Sequence, residues 1–139
     1  MPISAPEPAR PAIILAETEA ERLSALALQA EYANPEIAHL LLEEIDRAEI
    51  RPDPEMPDHV VRMHSIVRFV DGAHGRSRTV VLVYPSEADI ALGKVSILTH
   101  VGSGLIGLGA NQQIRWPDRD GRDRLLSVVQ VKPPGRLEL

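Results

Sequence analysis

With 139 residues, 44% hydrophobic and 25% charged, the chain has the size and balance of one ordinary globular domain, or a small domain with an appendage. The absence of cysteine excludes a disulfide framework and any thiolate metal site, and no apolar run is long enough to span a bilayer. The charge is split: residues 1–58 carry thirteen acidic and four basic side chains, residues 59–139 seven and eleven, which predicts two modules with different surfaces.

The first residues, 1–12, are proline-rich and lack the apolar centre of a signal peptide, so they read as a disordered lead-in to a cytoplasmic protein. Ile13, Ile14 and Leu15 form an extended segment beside the base of a helical hairpin. Residues 18–31 read as its first helix: Thr18 and Glu21 have the spacing of a capping box, and Leu23, Leu26, Ala27 and Ala30 recur on one face. The helix stops near Tyr32. Asn34-Pro35 starts a second one, with asparagine as the cap and proline at the first helical position. Its stripe is Ile37, Leu41, Ile45 and Ala48, with Glu43 and Arg47 spaced to pair outside. Leu40 and Leu42 widen that face, which predicts packing on the neighbouring module. Two such helices joined by a short turn make an antiparallel hairpin over residues 13–50, a short coiled coil. Each arm of about fifteen residues extends roughly 22 Å. Pro52, Pro54 and Pro57 then stiffen a linker over residues 51–58.

From His59 the period changes from helical to alternating. Val61, Met63, Ser65, Val67 and Phe69 interleave with Arg62, His64, Ile66 and Arg68, a strand with one polar face. Asp71-Gly72-Ala73-His74-Gly75 is a hairpin-type turn, and residues 78–84 form a buried inner strand. Short strands at 94–98 and 113–116, a long one at 124–131, and a small-residue helix at 101–108 complete a bent antiparallel sheet over residues 59–133. Residues 134–139 are a tail. The fold class is α+β.

Chemistry is sparse. His39, His59, His64, His74 and His100 lie in different elements without metal-ligand spacing, so no metal and no cofactor are expected. The glycines of 102–109 are separated by apolar residues, which favours close packing over a phosphate-binding loop. Ser103 lacks the flanks of a nucleophile elbow. Four aromatic residues are too few for a base-stacking platform. Arg115, Arg119, Arg122 and Arg124 alternate with Asp118, Asp120 and Asp123 and read as a self-neutralising turn.

Several segments stand in a specific order: "EMPDHVVRMHS", "MHSIVRFVD", "VVLVYPSEAD", "VSILTHVGSGLIGLG" and "IRWPDRDGR". In that order they resemble the C-terminal domain of the GreA/GreB transcript-cleavage factors, and more closely the nucleoside diphosphate kinase regulator (Rnk) family. The resemblance runs from about residue 13 to 131. It implies an FKBP-like fold for the β domain and a non-enzymatic regulator that docks on RNA polymerase at the secondary-channel rim. DNA binding belongs to the same set of expectations only as nucleic-acid proximity on the polymerase; no membrane is involved, and the protein is expected to be a monomer. In Gre factors the hairpin enters the channel, and acidic tip residues help hold a catalytic metal that the polymerase owns. In Rnk-like relatives the hairpin is short, which implies occupancy without transcript cleavage. The tip here is Glu31, Tyr32, Ala33, Asn34, Pro35 and Glu36, without a clear acidic pair. Glu36 reads more simply as compensation of the helix dipole.

The family's docking turn corresponds by position to Leu98, Thr99 and His100, with Val101 after them. Here His100 replaces a proline and Leu98 a polar residue, and Ala110-Asn111-Gln112-Gln113 stands where relatives carry a Gly-Asp turn. Two other readings stay open. An FKBP-like prolyl isomerase would need an aromatic-lined pocket that four aromatics scarcely furnish. A protein-interaction module acting on nucleoside diphosphate kinase level is left open by the family's name.

Overall fold

The apolar stripes of residues 17–47 fold as two helices, α1 (Glu17–Ala30) and α2 (Pro35–Arg47), joined by residues 31–34 and packed on each other. The computed structural model describes residues 10–72 and 75–134; most of the expected lead-in and tail, with Ala73 and His74 of the expected turn, lie outside the described residues. With fourteen and thirteen residues the helices are each about 20 Å long. Asn34 precedes α2 and Pro35 occupies its first turn, although the Asn34 side chain makes no capping bond.

The expected Thr18–Glu21 capping box does not form. Helix α1 starts at Glu17 behind Ala16, which has no side chain with which to cap. Thr18 therefore sits inside the first turn, and its N–H is one of the donors that a helix start leaves free. Asp53 of the linker accepts that N–H at 3.1 Å and also accepts the Thr18 hydroxyl. Those two bonds hold the Asp53 carboxyl below its ordinary value. The proline-rich linker thus caps the first helix from a distance, within a 3-10 turn over Asp53–Glu55.

The outside pair Glu43–Arg47 is also replaced. Glu43 lies 3.6 Å from His39, and Arg47 instead binds both oxygens of Glu44 at 2.8 Å. Glu44 is fully buried, and a buried carboxylate needs cationic partners. Arg10 supplies a second one at 3.0 Å, and its guanidinium lies over the Trp116 ring. Arg47 also donates to the Pro11 carbonyl at 2.6 Å, so residues 10–11 are fixed against α2.

The extended segment upstream of α1 becomes β1 (Ile14–Ala16), which pairs in parallel with β2 (Glu49–Arg51). Both helices lie between these two strands in the chain. Ile14 N–H also donates to the Gly107 carbonyl at 3.2 Å, tying the base of the helical pair to the rest.

The main sheet contains β3 (Ile66–Asp71), β4 (Arg76–Val83), β5 (Lys94–Ser96), β6 (Gln113–Pro117) and β7 (Asp123–Lys132), in the order β5-β4-β3-β7-β6. Burial alternates from Val61 to Phe69 as the sequence implies, but the ladder begins only at Ile66, because His64 adopts φ 71°. The sheet is mixed rather than wholly antiparallel: β4 and β5 run parallel, with Val81 opposite Lys94. Residues 84–93 contain two 3-10 turns and end on Gly93 at φ 72°. They carry the chain back so that β5 enters in the direction of β4. A bulge interrupts the β3–β7 register between Arg68 and Phe69.

One hydrophobic core serves both halves. Leu23, Ala27 and Leu41 of the helices share it with Phe69, Leu82, Ile97, Leu105, Trp116 and Leu126, and Leu40 and Leu42 pack against it. The remaining helix is α3 (His100–Leu105). Its glycines serve close packing: a β-carbon on Gly104 would stand 2.8 Å from Trp116, and one on Gly102 2.2 Å from the Ser96 carbonyl. Among the described residues no helix is long and apolar enough to cross a membrane.

Candidate functional site

The segment from Leu98 to Val101 is built to be rigid. Thr99 caps α3: its hydroxyl oxygen accepts the Gly102 N–H at 3.0 Å while its O–H donates to the Ser96 carbonyl at 2.7 Å. Ser103, fully buried, donates its hydroxyl to the Thr99 carbonyl at 2.8 Å. The Ser96 hydroxyl in turn accepts the Leu98 N–H at 3.0 Å. Leu98 and Val101 lean partly on the core, and Thr99 and His100 are half-buried at the rim of the turn.

The helical pair meets this turn directly. His100 Nε2 and Glu36 Oε1 are 2.5 Å apart, although the two residues are 64 positions apart in sequence. Asn34 and Ile37 line the same cleft as Leu98, Thr99, His100 and Val101, together with Asp118, Arg119 and Asp120 of the β6–β7 turn and Arg124 of β7. The cleft encloses about 610 Å³. Of the tip residues singled out in sequence, Asn34 and Glu36 are therefore brought against the 98–101 turn. Glu31 and Tyr32 are not; both point into solvent.

The third wall was missed in the sequence because its charges alternate and looked self-neutralising. The turn is hydrogen-bonded within itself. Asp118 accepts the backbone N–H groups of Asp120 at 2.8 Å and Arg122 at 3.0 Å, and these bonds, that of Arg122 foremost, hold its carboxyl below the usual range. Arg124 binds buried Asp71 at 3.0 Å. Among the described residues no cluster of three or more His, Asp or Glu side chains is arranged to hold a metal ion.

The arrangement offers a mixed-polarity recess, with the His100 ring and the Arg119 guanidinium on its polar side and apolar surface from Leu98, Ile37 and Val101. Residues 56–133, which include the whole main sheet and α3, match the family model described as "Transcription elongation factor, GreA/GreB, C-term". The chain belongs to the GreA/GreB family. Residues 11–50, which hold the two helices of this GreA/GreB member, match the Rnk N-terminus. The "Regulator of nucleoside diphosphate kinase" of Escherichia coli K12 is 36% identical over 123 residues, covering 88% of this chain and 90% of that one. A "Transcription elongation factor GreA" of a Methylobacterium species is 33% identical over 113 residues, 76% of this chain and 72% of that one. Among solved structures, a prokaryotic transcription elongation factor GreA/GreB from Nitrosomonas europaea superposes with a TM-score of 0.67 at 34% identity, over 88% of this chain and 99% of its own.

Proposed function

We propose that this GreA/GreB family member is a non-enzymatic regulator that binds RNA polymerase at its secondary channel and competes with Gre factors without stimulating transcript cleavage. An FKBP-like β module and a short antiparallel helical hairpin would make the contact together. The observation that carries the reading is the Glu36–His100 bond, which joins the tip side of the helical pair and the 98–101 turn into one face. Helices of about 20 Å whose buried residues run from Ala20 to Glu44 pack along α3 and the β1–β2 pair. Glu36, one of two carboxylates near the tip, is already engaged by His100.

The test is a pull-down on core RNA polymerase, competition against a GreA protein, and an assay of backtracked elongation complexes. Expected are binding at micromolar protein, displacement by GreA, and no release of short RNA. Accelerated cleavage would overturn the second half of the proposal, and absence of binding the whole. A second reading, control of nucleoside diphosphate kinase level through another protein partner, is favoured by the name of the Escherichia coli relative; a kinase that co-purifies with the chain in place of polymerase would establish it.

A further inference from the structure

Three of the four aromatic residues are interior: Phe69 and Trp116 are fully buried and Tyr84 is 8% exposed. The fourth, Tyr32, is 99% exposed, at the turn between α1 and α2. Leu28, in the last turn of α1, is 59% exposed. Neither side chain supports the fold, while the backbone on both sides of Tyr32 is hydrogen-bonded. Glu31 N–H donates to Leu28, Asn34 N–H to Ala30 at 2.8 Å, and Ala38 N–H to Asn34 at 3.0 Å. An aromatic fully exposed at this turn, with a second exposed apolar side chain in the last turn of α1 and neither of use to the chain's own core, has the character of an interface anchor.

The surrounding charge selects the occupant. Glu31 and Glu36 flank the tip and residues 31–36 contain no lysine or arginine, so a nucleic-acid backbone is repelled where Tyr32 would stack on a base. A second copy meeting tip to tip would oppose Glu31 to Glu31, which disfavours a two-fold contact. A protein pocket that is apolar within and basic at its rim satisfies both the ring and the Glu31 carboxylate, Glu36 being already paired with His100. We propose that Tyr32, seconded by Leu28, inserts into such a pocket on the chain's protein partner. The inference rests on the reading that this partner is RNA polymerase, and it adds an anchor separate from the 98–101 turn.

The test measures binding of the full chain to immobilised core polymerase for wild type, Tyr32→Ala, Tyr32→Phe and Leu28→Ala. Tyr32→Ala is expected to weaken binding by about thirty-fold or more, Leu28→Ala by about five-fold, and Tyr32→Phe by less than about three-fold because the ring is kept. Thermal midpoints should stay within about 1 °C, since exposed side chains contribute little to stability. If wild type binds and Tyr32→Ala binds equally well, the anchor is refuted and the functional reading stands. If wild type does not bind polymerase, the functional reading fails and the anchor with it. A short single-stranded RNA bound by wild type and lost by Tyr32→Ala, or a sedimenting dimer dispersed by it, would overturn the proposal in favour of a nucleobase or a second copy.

Discussion

Leu41 is the side chain of α2 that enters the shared core completely, so Leu41→Ala asks whether the helical pair and the sheet unfold together. Removing its isobutyl group from a fully enclosed site costs about 2–5 kcal/mol, and more where the site cannot collapse. Here α2 packs on α1 and α3 and Leu41 belongs to the common core, so about 3 kcal/mol is expected. In a two-state domain of this size that lowers Tm by about 12 °C, and with a urea m-value of about 2 kcal/mol/M it moves the midpoint by about 1.5 M. Trp116 on β6 is fully buried and is the sole tryptophan, so its fluorescence reports the sheet while ellipticity at helical wavelengths reports mainly α1 and α2. Both signals should shift together in the variant. If the helical signal melts early while the Trp116 midpoint stays at its wild-type value, the helices form a separate unit and the common core is wrong.

Thr99→Ala removes the cap of α3 and should cost about 1 kcal/mol, with Thr99→Ser close to wild type, as thermal melts will show. Glu44→Ala strips the buried carboxylate from Arg10 and Arg47; the expected loss is about 2–3 kcal/mol in urea titration, below the fully buried limit because both arginines retain access to water. Asp53 is held below its ordinary value by Thr18, so the unfolded chain binds more protons in the window beneath about pH 4. Its contribution is therefore complete above that value and lost as pH falls through the lowered folded one. Asp53→Asn should flatten this acid limb of the stability profile, measured as urea midpoint against pH, and an unchanged limb would remove Asp53 as the cap of α1.

The sequence made the helical pair legible through Asn34-Pro35 and the two apolar stripes, and the burial of 61–69 through its alternation, because these patterns are local. What escaped was set by partners distant in the chain. The capping box at Thr18 was a sound local motif, yet Asp53 displaced it from 35 positions away. Glu43 and Glu44 are equivalent in a helical spacing rule; only the core behind α2 and Arg10 beside it decide that Glu44 turns inward. The direction of β5 depended on how residues 84–93 coil, which propensity does not fix. The approach of Glu36 to His100 likewise came from how α2 rests on α3, and no motif announces it.

The parallel pairing of β1 with β2 closes the helical pair at its root like a clasp, with entry and exit of the chain side by side. Length added beyond Glu36 would leave that clasp, the shared core and the 98–101 turn untouched. Seven residues grafted into each arm there would carry the apex about 10 Å outward. Reach is thus adjustable in this scaffold without altering the platform that bears it, and an elongated version gives a direct way to ask what distance alone confers.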